Sequence, residues 1–211
     1  MKFIYRIIIF LLSLSALFLG YYKVWFLRQP ERNIPNNENV FVSPCNGKIV
    51  AIKKWNEASL LETKGDLGAI KVWTRDVDTA GIIISIQMDV TNVHFQRAPV
   101  SSVLVAEQYV PGSFNNAVQM NNEYGIRFEN ENNQLLFETS EGKKFKLIQI
   151  AGFVARRIED YVQPEQPVKQ GDVIGLIKLG SQITVILPHG TPITAKVGDV
   201  VIDGETPLAQ F

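Results

Sequence analysis

The N-terminal end of the chain is almost uninterrupted apolar sequence. Residues 7–22 read IIIFLLSLSALFLGYY without a charge, and the apolar run resumes as VWFL after the single Lys23. If the Lys23 side chain extends to the headgroups, a helix over residues 3–27 is long enough to cross the roughly 30 Å hydrocarbon layer of a bilayer. The pattern therefore predicts an N-terminal membrane anchor and juxtamembrane segment in residues 1–30.

A cleavable secretory signal is the alternative, because Lys2 and Arg6 also suit the start of such a signal. A signal should end at a small-residue cleavage site, whereas this chain continues as YYKVWFLRQP. We therefore favour an uncleaved anchor, with Tyr21, Tyr22 and Trp25 as interfacial aromatics. A slight excess of basic residues after the helix favours a cell inner membrane protein whose main domain faces the cytoplasm.

From residue 31 onward, short apolar runs alternate with Gly, Pro, Asn and Asp. The runs at 47–53, 82–87 and 145–150 have the length and composition of strands. Only residues 158–162 and 114–120 could form a helical turn. Residues 31–211 are thus predicted to be a mainly β domain, a compact β-sandwich or barrel-sandwich-like fold with few short helices.

One short pattern occurs twice, as VKQGDV at 168–173 and AKVGDV at 195–200. Both predict a strand, a Gly-Asp turn and a second strand, with Gly at a positive φ and an Asp side chain bonded within the turn. The segment SPCNGKIV at 43–50 is a third unit of this type. Such units suit the folded-over sandwich of lipoyl and biotinyl carriers, but no lysine has the sequence context of a swinging arm.

Composition and charge narrow the function classes. The 211 residues are 46% hydrophobic and carry 21 basic and 21 acidic side chains, which excludes a disordered chain. Because no basic stripe is present, nucleic acid is not an expected partner. A single cysteine, Cys45, with two histidines excludes an internal disulfide and an ordinary structural zinc site, so no metal is expected.

The first candidate for chemistry is His94, in the segment DVTNVHFQRAP at 89–99. Any acid–base step near neutral pH would fall to one of the two imidazoles. The alternative is a histidine at a strand end whose ring is satisfied by a backbone carbonyl. Arg97 adds a cation that suits a phosphate or a carboxylate, or it is an exposed arginine without such a role.

The second candidate is the peptide between Gly180 and Ser181, which interrupts the apolar runs 173–179 and 183–187. A glycine inside a strand often marks a bulge or a close backbone approach. Strain there could expose the peptide carbonyl to the adjacent hydroxyl. The alternative is an ordinary hairpin bend.

Six motifs, in this order along the chain, carry a resemblance to a known family. They are FLRQPER at 26–32, VSPCNGK at 42–48, NVHFQRAP at 92–99, YVPGSF at 109–114 followed by Ala117, IAGFVARRI at 150–158 and GLIKLGS at 175–181. From about Trp25 to the C-terminus, the chain resembles the phosphatidylserine decarboxylase proenzyme family, especially its short bacterial and archaeal form.

The resemblance implies that the chain cleaves itself between Gly180 and Ser181 into a β chain, 1–180, and an α chain, 181–211. Ser181 would become a pyruvoyl group, the cofactor, whose ketone accepts electrons as phosphatidylserine loses CO₂ and becomes phosphatidylethanolamine. His94 would return a proton to the carbon that lost CO₂. The implied partners are the phospholipid substrate, the membrane and the chain's own two fragments, with a homodimer as a further possibility.

The resemblance also assigns roles to four other residues. Arg97, Arg156 and Arg157 are candidates for holding an anionic group of the substrate or the turn beside the cleavage site. Asn46 stands where the family has an aspartate that positions and activates the histidine. An amide orients a hydrogen bond but neither accepts a proton nor balances an imidazolium.

Two other functions are compatible with the same features. Asn46 supports an uncleaved, non-catalytic relative that binds anionic lipid or a protein partner at the membrane, although such a protein has no evident need for Ser181. A β-sandwich adaptor of an envelope transport system would share the anchor and the sandwich, but it predicts no cleavage and gives His94 no role. The decarboxylase, a carboxy-lyase, is the interpretation that we favour.

Overall fold

The computed structural model describes residues 2–37, 39–56, 74–116, 124–152, 158–178 and 181–211. The chain begins with helix α1, Lys2–Gly20, and continues as a π-helical segment, Tyr21–Phe26. No residue of α1 is buried in the protein. Together the two segments form one helix, Lys2–Phe26, that is long and apolar enough to cross a membrane. An N-terminal helix of the predicted kind is therefore confirmed, whereas the membrane and the orientation stay predictions.

The remaining described residues include the strands of a mainly β domain. The first seven are β1 Val40–Val42, β2 Gly47–Asn56, β3 Ala80–Met88, β4 Phe95–Arg97, β5 Ser102–Val110, β6 Asn132–Glu138 and β7 Lys144–Ala151. The next six are β8 Ile158–Asp160, β9 Pro167–Val168, β10 Val173–Ile177, β11 Ser181–Pro188, β12 Val200–Val201 and β13 Pro207–Gln210.

The strands form one large curled sheet and two small ones. The large sheet has eight strands in the order β12-β2-β3-β11-β7-β6-β5-β9. The order β4-β10-β8 makes the second sheet, and β1 pairs with β13 in the third. All of these pairs are antiparallel. The predicted mainly β fold is confirmed.

Strand β3 is apolar on both faces because both faces are covered. Ile84 and Ile86 belong to the main core, while the alternate residue Ile83 packs in a second cluster with Trp55 and Ile126. Side chains of successive strand residues point to opposite faces of a sheet, so a strand covered on both sides reads as a continuous apolar run. The predicted strands at 47–53, 82–87 and 145–150 are all present, as β2, β3 and β7.

The expected helical turns are not found where the structure describes them. Residues 158–160 are strand β8, paired with β10, so the helical prediction for 158–162 is wrong. The strand satisfies its backbone groups by pairing with β10, and this tertiary contact overrides the weak local preference. Residues 114–116 are irregular, and 117–120 lie outside the described residues.

The two Gly-Asp turns have the predicted geometry. Gly171 has a φ of 88° and Gly198 a φ of 98°, in the left-handed region that favours glycine. In the first turn the Asp172 carboxylate accepts a hydrogen bond from the Lys169 N–H at 2.8 Å. In the second the Asp199 carboxylate accepts one from the Lys196 N–H at the same distance, 2.8 Å. The sequence repeat is therefore also a structural repeat.

Candidate active site

The chain changes sheets at the predicted cleavage position. Strand β10 ends at Ile177 in the three-stranded sheet, and β11 begins at Ser181 in the eight-stranded sheet. Since β10 and β11 lie in different sheets, the alternative of a hairpin bend is wrong. Gly180 lies outside the described residues, but both flanking strands are placed.

Ser181 is fully buried at the first position of β11. It lies opposite Met88 on one side and Ala151 on the other, and residues directly opposite in an antiparallel pair point to the same face. Both neighbours belong to the main core. Within the described parts of the chain, the Ser181 Oγ has no hydrogen-bond partner. A buried hydroxyl without a partner costs free energy, so this serine does not contribute to stability through a hydrogen bond.

His94 lies against the strand that leads to the cleavage position. Its backbone carbonyl accepts a hydrogen bond from the Ile177 N–H at 3.2 Å. The same carbonyl accepts a hydrogen bond from the Gln96 side-chain amide, whose oxygen in turn accepts one from Gln149 at 3.2 Å. The structure thus brings the His94 backbone to the end of β10. Ser181 pairs with Met88, the last residue of β3, and His94 lies in the loop that follows β3.

The His94 ring is held in one neutral form. Its Nδ1 lies 3.0 Å from the backbone oxygen of Asn92. Because a carbonyl oxygen only accepts, Nδ1 carries the hydrogen and Nε2 carries the lone pair. Burial lowers the pKa of His94 from 6.5 to about 4, partly offset by the Asn92 bond and by Asp89, while Arg28 lowers it further. At neutral pH the imidazole is therefore uncharged, with its lone pair on Nε2.

The end of the N-terminal helix covers this histidine. The ring of Phe26, which is fully buried, lies 4.4 Å from the His94 ring between centroids. The Tyr21 hydroxyl donates to the Val90 carbonyl at 2.7 Å, and Arg28 donates to the Thr91 carbonyl at 2.7 Å. Sequence reasoning did not assign these contacts, although Phe26 and Arg28 belong to the FLRQPER motif.

Asn46 and Arg97 meet at a buried carboxylate, Asp203. Arg32 approaches Asp203 with two nitrogens, at 2.5 and 3.2 Å, and the Arg97 Nε lies 2.8 Å from the same group. The Asn46 side-chain oxygen accepts from the Asp203 N–H at 2.8 Å and from Arg32 at 3.3 Å. We call Arg32, Asn46, Arg97 and Asp203 the Asp203 cluster. The predicted action of Asn46 on His94 stays a prediction.

Arg97 also supports the turn before β10. One of its terminal nitrogens donates to the Gly171 carbonyl at 2.8 Å. Only 14% of its side chain is exposed. The alternative of an exposed arginine is therefore wrong, whereas the predicted roles of Arg97, holding a substrate anion or the turn beside the cleavage site, stay predictions. Arg156 and Arg157 lie outside the described residues.

A second polar group lies at the end of β8 and is partly buried. The Asp160 carboxylate accepts a hydrogen bond from Asn133 at 2.6 Å, and Asn133 also donates to Glu107 at 2.9 Å. Burial, with a smaller contribution from the nearby Glu107 charge, raises the pKa of Asp160 to about 6. Neither the sequence patterns nor the motifs singled out this carboxylate.

Comparison with known proteins adds to this geometry. A sequence model of the family described as phosphatidylserine decarboxylase matches residues 20–209. The phosphatidylserine decarboxylase proenzyme of Desulfotalea psychrophila is 35% identical over 190 residues, covering 90% of this chain and 79% of the relative. The corresponding proenzyme of Syntrophus aciditrophicus is 36% identical over 190 residues, covering 90% and 80%. That of Geotalea uraniireducens is 36% identical over 197 residues, covering 92% and 83%. The range that the family model matches, 20–209, spans the helix end, His94 and Ser181.

Proposed function

Because the chain belongs to the phosphatidylserine decarboxylase family, we propose that it cleaves itself between Gly180 and Ser181 and then converts phosphatidylserine to phosphatidylethanolamine. The observation that carries the proposal is the placement of Ser181. It is the first residue after the chain crosses between sheets, and its hydroxyl is buried without a hydrogen-bond partner in the described structure. A reactive hydroxyl gains from this placement, whereas a structural one does not.

Self-cleavage begins when the Ser181 Oγ adds to the carbonyl carbon of Gly180. The peptide C–N bond breaks and an ester to Oγ takes its place, while the hydroxyl proton passes to the new amine. Loss of the Ser181 Cα proton and of the Oγ–Cβ bond then leaves a carboxylate on Gly180 and a dehydroalanine at 181. Addition of water with release of ammonia leaves a pyruvoyl group at the new N-terminus.

The residues present fit that cofactor, since the group is made from Ser181 itself and needs no separate binding pocket. Its flanks on β3 and β7 are Met88 and Ala151, whose side chains do not compete for the hydroxyl. The pyruvoyl ketone would supply an acceptor for the electron pair left when CO₂ departs.

His94 then manages the proton of the reaction. In its neutral form Nε2 takes a proton from the ammonium of the substrate's serine headgroup, which makes the amine nucleophilic. Once CO₂ has left, the imidazolium returns that proton to the α-carbon, so the histidine is neutral again at the end of each cycle. Because the pKa of His94 is about 4, uptake of the proton is the unfavourable step and its return to the α-carbon is the favourable one.

Membrane anchoring suits a diacyl substrate that does not readily leave the bilayer. The inner-membrane location, the cytoplasmic orientation of the domain and a homodimer belong to the proposal. The uncleaved lipid-binding alternative is not favoured, because it leaves the placement of Ser181 unexplained.

The decisive experiment is the intact mass of the purified full-length chain. The proposal predicts two chains divided between Gly180 and Ser181, the smaller with a blocked N-terminus. Ser181→Ala should give one species near 23.7 kDa and no decarboxylation. Ser85→Ala is a matched control, because the Ser85 hydroxyl is also buried without a partner among the described residues but lies within β3. Full turnover by Ser181→Ala would contradict the mechanism.

A further inference from the structure

The helix end is built around the His94 loop. The rings of Phe18, Tyr22 and Phe26 stack in sequence along one side of the helix, and the column ends on the ring of His94. Centroid separations along it are 6.3, 5.5 and 4.4 Å. Aromatic pairs at such spacings attract one another, so the column links the membrane helix directly to the imidazole.

The backbone of the helix changes where this contact is made. The Leu27 N–H donates to the Tyr22 carbonyl at 3.1 Å, a bond across five residues that defines a π-helical turn. Such turns are rare, and they occur frequently at functional sites. By adding a residue to the turn, the π-helical segment alters which side chains face the domain, and Phe26 is the only buried residue of that segment.

Two hydrogen bonds fix the same loop from the helix side. The loop comprises residues 89–94. The Tyr21 hydroxyl donates a hydrogen bond to the Val90 carbonyl and the Arg28 guanidinium donates one to the Thr91 carbonyl, each at 2.7 Å. Within the loop, Asp89 accepts hydrogen bonds from the Thr91 N–H at 2.8 Å and from its hydroxyl at 2.5 Å. The carbonyls of Val90 and Thr91 thus find donors on the helix end.

Exposed apolar side chains surround this contact. Val24 and Trp25 on the helix end are 77% and 50% exposed, and Val90 and Tyr161 on the domain are 45% and 46% exposed. Tyr161 lies 6.4 Å from Phe95 between ring centroids, so it belongs to the surface beside His94. Aromatic and apolar residues at the end of a membrane helix are typical of the headgroup layer.

We infer that the end of the membrane helix is part of the catalytic site, in which Tyr21, Phe26 and Arg28 position the His94 loop at the depth of the lipid headgroups. Phe26 excludes water from the imidazole, and Tyr21 and Arg28 hold the loop backbone. The anchor therefore does more than tether the domain. This inference rests on the proposed role of His94, and its variants address only how that histidine is held.

The test uses the full-length chain in detergent and phosphatidylserine mixed micelles, where tethering to a bilayer is not required. Phe26→Ala is compared with Phe10→Ala, which removes a 66% exposed ring from the same helix. Tyr21→Phe is compared with Tyr5→Phe, which removes a hydroxyl from a 70% exposed tyrosine. The measurements are kcat and KM per processed chain, and the pKa of His94.

The His94 pKa is accessible because the chain has only two histidines. In a His189→Gln background, the His94 imidazole is the only histidine in the NMR spectrum. The charged groups that act on it are Asp89 in the loop and Arg28 on the helix end, and both variants leave these intact. Admission of water at Phe26 should therefore raise the measured pKa above that of the parent chain, towards 6.5, because burial is the main cause of the lowered value.

Phe26→Ala is expected to lower kcat about tenfold, with a change in KM below about threefold, and to raise the His94 pKa. Tyr21→Phe should lower kcat about fivefold, the factor that corresponds to one net hydrogen bond. A His94 pKa equal to that of the parent chain, with kcat equal to that of Phe10→Ala, would overturn the inference. The parent chain would still decarboxylate in that case, whereas failure of the proposed function would appear in the parent chain itself.

Discussion

The Asp203 cluster and the His94–Ser181 region both bury polar groups, but the first buries charged groups in ion pairs and the second buries uncharged groups. Asp203 is fully buried as a carboxylate, and two guanidinium groups donate to its oxygens. His94 is also fully buried, but as a neutral ring, and Ser181 has no hydrogen-bond partner in the described structure. Buried charges are tolerated when they are paired, whereas burial lowers the pKa of the His94 imidazole and keeps it neutral. The Asp203 cluster thus stabilises a buried charge by ion pairs, whereas the His94–Ser181 region keeps uncharged groups that can react.

This difference predicts that substitutions in the two regions have separate effects, one on the reaction and the other on the stability of the fold. Loss of His94 should affect the reaction more than the fold. Loss of a charge from the Asp203 cluster should affect the fold more than the reaction, because an uncompensated charge would be left in the interior. Each variant below is therefore measured for both activity and free energy of unfolding.

The largest effect is expected from His94→Gln. Removal of a positioned acid–base group lowers a rate by about a thousandfold, so decarboxylation should fall by that order. The free energy of unfolding at neutral pH should change much less. His189→Gln is the matched control, since His189 is exposed. An active His94→Gln enzyme would leave this histidine only a structural role.

Asp203→Asn should have the next largest effect, this time on the fold. The side chains of Arg32 and Arg97 are only 11% and 14% exposed, so loss of the carboxylate leaves two poorly solvated cations. We expect the free energy of unfolding to fall by about 3 kcal/mol. Denaturant unfolding measures this loss, with Asp199→Asn in an exposed turn as the control. Equal losses in the two variants would show that the cluster is not a major source of stability.

These two regions also show which parts of the fold and of the site could be predicted from the sequence. Gly-Asp turns, strands β2, β3 and β7 and the helix were predictable, because periodicity and turn chemistry are local. His94 and Ser181 were singled out in the sequence, and their catalytic roles came from the family resemblance that their motifs carry. The contact of Phe26 with His94 was not predictable, since it joins residues 68 positions apart through the fold (94 − 26). The partner of Arg97 is Asp203, 106 positions away, in a stretch that no motif includes.

A smaller effect is expected at Asp160, which is neither fully paired nor neutral. Its pKa is raised from 3.8 to about 6, so the folded chain holds more protons than the unfolded chain between these values. The contribution of Asp160 to stability is therefore present below pH 3.8 and is lost as the pH rises through about 6. Asp160→Asn should stabilise the protein at pH 7 by about 1 kcal/mol, allowing for its partial exposure.

The pH dependence supplies the control for Asp160. The stability difference between Asp160→Asn and the parent chain should disappear as the pH falls below about 4, where the parent carboxyl is protonated in both states. Thermal unfolding across this range would check it. A difference that is constant with pH would mean that the substitution acts through packing and not through charge.

The smallest effect is expected from Asn46→Asp, which tests whether position 46 acts only within the Asp203 cluster or also on His94. The Asn46 oxygen already accepts from Arg32 and from the Asp203 N–H, and a carboxylate could keep both bonds. Because two guanidiniums share one carboxylate in this cluster, a second negative charge should raise the free energy of unfolding by less than about 1 kcal/mol. We expect the rate of self-cleavage, followed by intact mass, to change less than about threefold. A much larger acceleration of self-cleavage would mean that the side chain at position 46 acts on His94, so that the two regions form one site.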